Sequence, residues 1–167
     1  MAKFYDRLED KHVAFIKAQS TFFAATAPLS DADLGGSGAE TLAHVRENGR
    51  ITFMFCAYEG APNIMRLYGR GEAMQFNDPD FAEEIAKFSP GHQRPRNIIF
   101  AEITQVQDSC GWAVPFYEFT GERDQLRRYI DHKSLDEWRE SRLTKNAKSL
   151  DGLPGLIRPQ DTVKAAE

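Results

Sequence analysis

Long hydrophobic runs are missing from this sequence, and so is any excess of basic charge. No stretch reaches the ~20 apolar residues that a membrane-spanning helix needs. The opening Met-Ala-Lys-Phe-Tyr-Asp-Arg-Leu-Glu-Asp carries acids where a secretion leader would carry an apolar run. Both absences predict a cytoplasmic protein with no membrane partner. A formal net charge of -4 lacks the concentrated basic face that phosphate-backbone binding requires, which argues against nucleic acid as a partner. Cysteine is scarce: Cys56 lies in an apolar run and Cys110 in a polar turn, with no Cys-x-x-Cys and no histidine at metal-ligand spacing. Two reduced, structural thiols and no metal centre are expected. His12, His44, His92 and His132 stand apart from any pattern that would make them ligands, and none receives a catalytic role. The nucleophile elbow, the P-loop and the dinucleotide fingerprint are absent too, so hydrolase and nucleotidase readings have no support.

What remains is an ordinary globular composition, 41% hydrophobic and 28% charged, on 167 residues, which suits one core. Apolar periodicity predicts a helix over Glu9–Gln19, a short buried strand over Thr21–Ala27 closed by Pro28, and a helix from about Ala39 to Asn48, stopped by Asn48-Gly49. Arg50–Tyr58 alternates Ile51, Phe53 and Phe55 with Thr52, Met54 and Cys56, and a turn joins it to a longer strand over Ile64–Phe76. Within that strand Gly69 and Gly71 predict a bulge or a close backbone approach. Asp78-Pro79 reads as the start of a helix carrying Phe81, Ile85 and Phe88. Asn97–Gln107 and Trp112–Phe119 read as a second hairpin around Asp108–Gly111. A charged helix follows from Thr120-Gly121 to about Lys133, then another over Leu135–Arg142, and residues 149–156 are too rich in Pro and Gly for regular structure. Antiparallel strands with helices inserted between hairpins predict an α+β domain over residues 1–142, its sheet closed into a small barrel, with residues 143–167 as an extended tail packed on it.

Four features could carry chemistry. In Gly35-Gly36-Ser37-Gly38-Ala39-Glu40-Thr41 the spacing of Ser37 and Glu40 is that of a capping box. The same glycines and free helix N–H groups would also suit a phosphate. Arg66 and Arg70 fall on one strand face and could clamp an anion unless a bulge at Gly69 separates them, although such a pair is more often a solvated outer face. Asn63 could bond a ring edge or simply serve the turn beside Pro62, and Trp112 could stack on an aromatic ring or pack in a core or interface.

The segments FFAATAPLS, GGSGAETLAHVRENGRITFMFCAYEGAPNIMRLYGRGE, DSCGWAVPFYEF and KNAKSLDGLPGL, in this order, resemble a bacterial branch of the pyridoxamine 5'-phosphate oxidase-related family over most of the chain. The resemblance implies a mainly antiparallel six-stranded split β-barrel with flanking helices that binds FMN at the interface of a homodimer. It implies an oxidoreductase acting on a small-molecule substrate, with Gly36, Ser37, Gly38, Glu40 and Thr41 near the cofactor and Asn63, Arg66 and Trp112 as further contacts. Deazaflavin or haem is the alternative cofactor. A non-catalytic flavin- or haem-binding protein, or a cofactor-less dimeric module of the same fold, is the alternative function.

Two departures matter. The better-known oxidases carry an Arg-Lys pair at the helix start, where this chain has Glu40-Thr41. Relatives of this branch also hold two further strands and a lysine-bearing turn between the PLS and GSG motifs, whereas here only Asp31, Ala32, Asp33 and Leu34 separate Ser30 from Gly35. The barrel would then lack two strands and the cofactor its cationic phosphate contact. The expectation is that residues are omitted between Pro28 and Gly35, and that the chain itself is not shortened.

Overall fold

The alternation that marks Arg50–Cys56 suits a strand inside a sheet, with a neighbour on each side. The computed structural model describes residues 2–26, 38–88 and 94–162. Among them, β1 (Lys3–Tyr5), β2 (Phe23–Ala25), β3 (Arg50–Cys56), β4 (Asn63–Gln75) and β5 (Asn97–Cys110) form one antiparallel sheet in the order β1-β5-β4-β3-β2. The helices are α1 (Asp10–Lys17), α2 (Glu40–Asn48), α3 (Phe81–Ile85), α4 (Gln125–Asp131), α5 (Leu135–Lys145) and α6 (Pro159–Thr162). The architecture is α+β, as expected.

Facing positions of three strands make the core: Phe55 on β3, Met65 and Leu67 on β4 and Val106 on β5 are buried, with Tyr5, Leu8, Phe15 and Ile16 packed against them. Helix α1 therefore covers one end of the sheet. Helix α2 covers another part, with Leu42 and Val45 buried and the Val45 methyls close to Gly71. Gly49, at φ 68, ends α2 in the left-handed conformation predicted for it and returns its N–H to the Val45 carbonyl.

The ladder shifts register between Tyr68 and Gly69, where the glycines predict a disturbance. The extra residue is on the partner strand: Tyr68 faces Gln105 and Gly69 faces Ile103, so Thr104 bulges and its hydroxyl donates to the Tyr68 carbonyl at 3.2 Å. A Cβ at Gly69 would strike the Glu102 carbonyl oxygen, which is why glycine stands there.

Several expectations are corrected. No strand covers Trp112–Phe119. Both edges of β5 are already taken, by β4 and by the three-residue β1, which is too short to show a period in the sequence. The Asp78 carboxylate accepts the Gln75 N–H at 2.7 Å and so holds a turn, while α3 begins later, after Asp80. Ala39 is the N-cap of α2, so Glu40 is the first helical residue and cannot close a capping box with Ser37. The expectation about the Ser30–Gly35 link concerns residues 27–37, whose structure is not described. Gly36 and Ser37 lie outside the described residues with it.

Candidate functional site

A cleft of about 430 Å³ opens where β1, β5 and the first residue of β4 meet, lined by Lys3, Tyr5, Lys11, Asn63, Asp108 and Trp112, with Pro62, Ser109 and Cys110 completing the wall. Register places its parts: Lys3 pairs with Asp108, and Asn63 with Cys110. Gly111 then lets the chain pass against Asn63, for a Cβ there would run into the Asn63 backbone. Trp112 emerges beside Asn63 with 86% of its surface exposed, an unusual position for so large an apolar ring. Asn63 and Trp112, singled out in the sequence, are thus brought together.

Beneath this cleft lies a polar pair that the sequence does not announce. His12 is buried, and its Nδ1 accepts the Glu9 N–H at 3.0 Å. The ring proton of a neutral His12 therefore sits on Nε2, 3.6 Å from Asp108 Oδ2. That gap is too long for a hydrogen bond, and both His12 Nε2 and Asp108 Oδ1 are buried without a partner among the described residues. Lys11 stands 4.2 Å from the centre of the Tyr5 ring and 2.7 Å from Glu9; the shared hydrogen bond raises the Lys11 pKa and lowers that of Glu9. Ammonium, carboxylate, amide and indole groups converge here, a set able to bind a flat polar ring by stacking and edge hydrogen bonds.

Arg66 joins the cleft wall indirectly, donating to Ser109 Oγ at 3.1 Å. Arg70 instead donates to the Asn48 carbonyl at 2.8 Å. The two arginines have separate partners, and no anion clamp forms between them.

Gly38, Glu40 and Thr41 stand elsewhere, at the start of α2. Glu40 is buried, and its Oε1 accepts the Leu150 N–H at 3.1 Å from the C-terminal tail. Its carboxylate fills the space that a side chain at Gly38 would need. Farther along α2, His44 is fully buried between Asp151, at 3.2 Å from Nε2, and Thr26, at 3.2 Å from Nδ1. An ionised carboxylate can only accept, so Nε2 carries the proton and Nδ1 takes the Thr26 hydroxyl. Arg46 bonds the Gly155 carbonyl and Gln75 Oε1, and burial pushes its guanidinium below the ordinary arginine value against the pull of Asp78. Thus α2 is tied to the tail and to the last residue of β4. Asn63 is the first residue of that strand, so the two groups of candidates stand toward opposite ends of β4, whose twelve steps at ~3.3 Å give a contour of at most roughly 40 Å.

A relative decides the family. The chain is 32% identical, over 93% of its length and 78% of the relative's, to the pyridoxamine 5'-phosphate oxidase family protein ustO of Aspergillus flavus. The chain belongs to the pyridoxamine 5'-phosphate oxidase family. No family model matches it, and no solved structure does. The alignment to this family member spans 195 positions, whereas 93% of 167 residues is about 155, so about forty positions face no residue of this chain. Among the described residues no group of His, Cys, Asp and Glu could hold a metal, and no helix is long and apolar enough to cross a membrane.

Proposed function

We propose that this chain is an FMN-binding split-barrel protein that acts, as a homodimer, as a flavin-dependent oxidoreductase on a small molecule. The observation that carries the reading is the cleft at Asn63 and Trp112, in a chain that belongs to this family. A bound flavin would supply the redox chemistry. The indole would stack on the ring, Asn63 would bond its edge, and Arg66 would hold Ser109 in the wall. Residues 1–142 would form the flavin-binding unit, and Leu150, Asp151 and Gly155 of the segment that follows are tied to α2 by the bonds of Glu40, His44 and Arg46.

The fit is uneven along one chain. The cleft suits a flat ring, whereas the start of α2 already holds the Glu40 carboxylate, which repels a phosphate. The two groups stand toward opposite ends of β4, and a strand of up to roughly 40 Å is longer than one mononucleotide. In this reading a flavin that uses both groups takes Asn63 and Trp112 from one protomer and the residues around Gly38 and Thr41 from its partner.

The test is absorbance of the purified protein followed by titration with FMN. A yellow protein, or micromolar binding that is about tenfold weaker in Trp112→Ala and restored in Trp112→Phe, is the expected result. A colourless chain with no affinity for FMN would overturn it. The roughly forty unmatched positions favour a second reading, a cofactor-less dimeric module, if the gap falls at the Ser30–Gly35 link. That reading expects an intact dimer with no flavin.

A further inference from the structure

A hydroxyl, an imidazole and a carboxylate are brought into line by three distant segments. Thr26, just beyond β2, donates to His44 Nδ1 at 3.2 Å, and His44 Nε2 donates to Asp151 Oδ2 at 3.2 Å. Along the chain 18 positions separate Thr26 from His44 and 107 separate His44 from Asp151, so no local motif announces the set. His44 is wholly buried, Thr26 is half-buried and Asp151 reaches solvent. A neutral ring with its proton on Nε2 turns a lone pair toward the Thr26 hydroxyl, the state in which an imidazole acts as a base on an alcohol. Both distances fall within the ~2.6–3.2 Å reach of such proton transfer.

Thr26 also belongs to the wall of a cleft of about 440 Å³ on the sheet, with Arg50, Thr52, Tyr68, Arg70 and Thr104. Among the described residues no acidic side chain lines this cleft. Arg50 and Arg70 stand directly opposite one another in the β3–β4 ladder, and like charges so placed repel. Arg70 gives one N–H to the Asn48 carbonyl, whereas the Arg50 guanidinium has no acceptor among the described residues. Such a wall favours an anionic ligand. A mere tie between β2, α2 and the tail needs the two hydrogen bonds, but neither the cleft at the hydroxyl nor two cations in its wall.

We propose that Thr26 is a nucleophile, with His44 as its base and Asp151 as the residue that positions His44, and that it takes the acyl group of an ester carrying a negative charge. Thr26 Oγ1 attacks the carbonyl carbon while its proton passes to His44 Nδ1. The bond from that carbon to the leaving oxygen then breaks, and the leaving group departs as the alcohol with the same proton. The Nε2 proton stays on the hydrogen bond to Asp151 throughout. Water repeats the attack on the acyl-threonine, releasing a carboxylic acid and restoring the hydroxyl.

The test treats the full chain with 4-nitrophenyl acetate and with mono-4-nitrophenyl glutarate, whose acyl chain ends in a carboxylate. Peptide mass analysis should place the acyl group on Thr26, with the glutarate reacting about tenfold faster, as a cationic wall predicts. Thr26→Ser should keep the label and Thr26→Val should abolish it. His44→Gln and Asp151→Asn should each slow labelling about a hundredfold or more, the share that a positioned base contributes. Asp151 is 40% exposed, so its variant reads the relay even where His44→Gln does not fold. In the unaltered chain the labelling rate should rise with pH and level off once His44 is neutral, a profile that a structural tie does not produce. A rate that climbs about tenfold per pH unit without levelling is hydroxide chemistry and overturns the proposal. Acylation confined to lysines, or a Thr26 label that Asp151→Asn leaves unchanged, overturns it as well. Equal rates with the two esters overturn the anionic class of the acyl group. None of these outcomes bears on FMN at the Asn63–Trp112 cleft, which shares no wall residue with this one.

Discussion

A hydrogen in place of a methyl at Gly111 decides whether the cleft can exist. Gly111→Ala would drive a Cβ into the Asn63 backbone, and backbone cannot yield as a flexible side chain can. It should cost ~1–3 kcal/mol in urea unfolding and weaken FMN binding, whereas an alanine at Gly60, where nothing lies within 4 Å but φ is 70, should cost stability and leave binding unchanged. Ser134 and Glu137 show the same economy at α5. Ser134 Oγ accepts the Glu137 N–H at 3.2 Å and the carboxylate accepts the Ser134 N–H at 2.8 Å. Ser134→Ala should cost ~1 kcal/mol. The backbone and side-chain bonds from Ser134 lower the Glu137 pKa below the ordinary carboxylate value. A depressed folded-state pKa stabilises above the unfolded value and is lost as pH falls through the folded one. The melting difference between the protein and Glu137→Gln should therefore be present at neutral pH and vanish on the acid side; a difference constant down to strong acid would contradict this linkage.

At the scale of elements, a buried amide fastens the C-terminal tail to the end of β4. Gln75 Nε2 donates to the Ile157 carbonyl at 2.8 Å, while its Oε1 accepts the Ile157 N–H at 2.9 Å and Arg46 at 2.9 Å. Gln75→Leu keeps much of the volume but leaves the Ile157 N–H unpaired, at ~1–3 kcal/mol, while Asn77 Nδ2 still donates to the Ile157 carbonyl at 3.0 Å and Arg46 keeps the Gly155 carbonyl. Hydrogen exchange should show the tail opening before β4 does, and uniform loss of protection would sink this idea. The tail contacts are invisible in sequence because they join Gln75 to Ile157, and periodicity reports only local faces. What periodicity does report came through: the β3–β4 hairpin, the stop at Gly49 and the disturbance at Gly69. Where a side chain had two uses, as with Asp78 and Glu40, pattern alone named the wrong one. The Ser134–Glu137 box lay open in Ser-Leu-Asp-Glu and could have been found. The cleft was half visible, through Asn63 and Trp112. Lys3 and Asp108 were not, since their meeting depends on a three-residue strand.

The whole molecule leaves much aromatic surface uncovered. Trp112, Phe116, Tyr117 and Phe119 are all more than half exposed, on a segment after β5 that is joined to the sheet by little more than the Tyr117 N–H to the Tyr58 carbonyl and the contact of their rings. Exposed rings in such number are characteristic of surfaces that another chain covers. The proposed dimer supplies that chain, and the separation of the candidates along β4 gives it a functional reason. An obligate interface commonly buries ~2,000 Å² or more. Light scattering at micromolar concentration should then give twice the chain mass, and Phe116→Asp with Tyr117→Asp should halve it without unfolding the sheet. The decisive measurement mixes two defective chains, Trp112→Ala in one and Gly38→Val in the other. If each flavin draws on both protomers, every site in either homodimer is defective, whereas the mixed dimer has one site built from the two intact halves and should recover about half of the FMN bound. If a single protomer holds the whole site, mixing restores nothing, and the shared-site reading is lost even where the dimer survives.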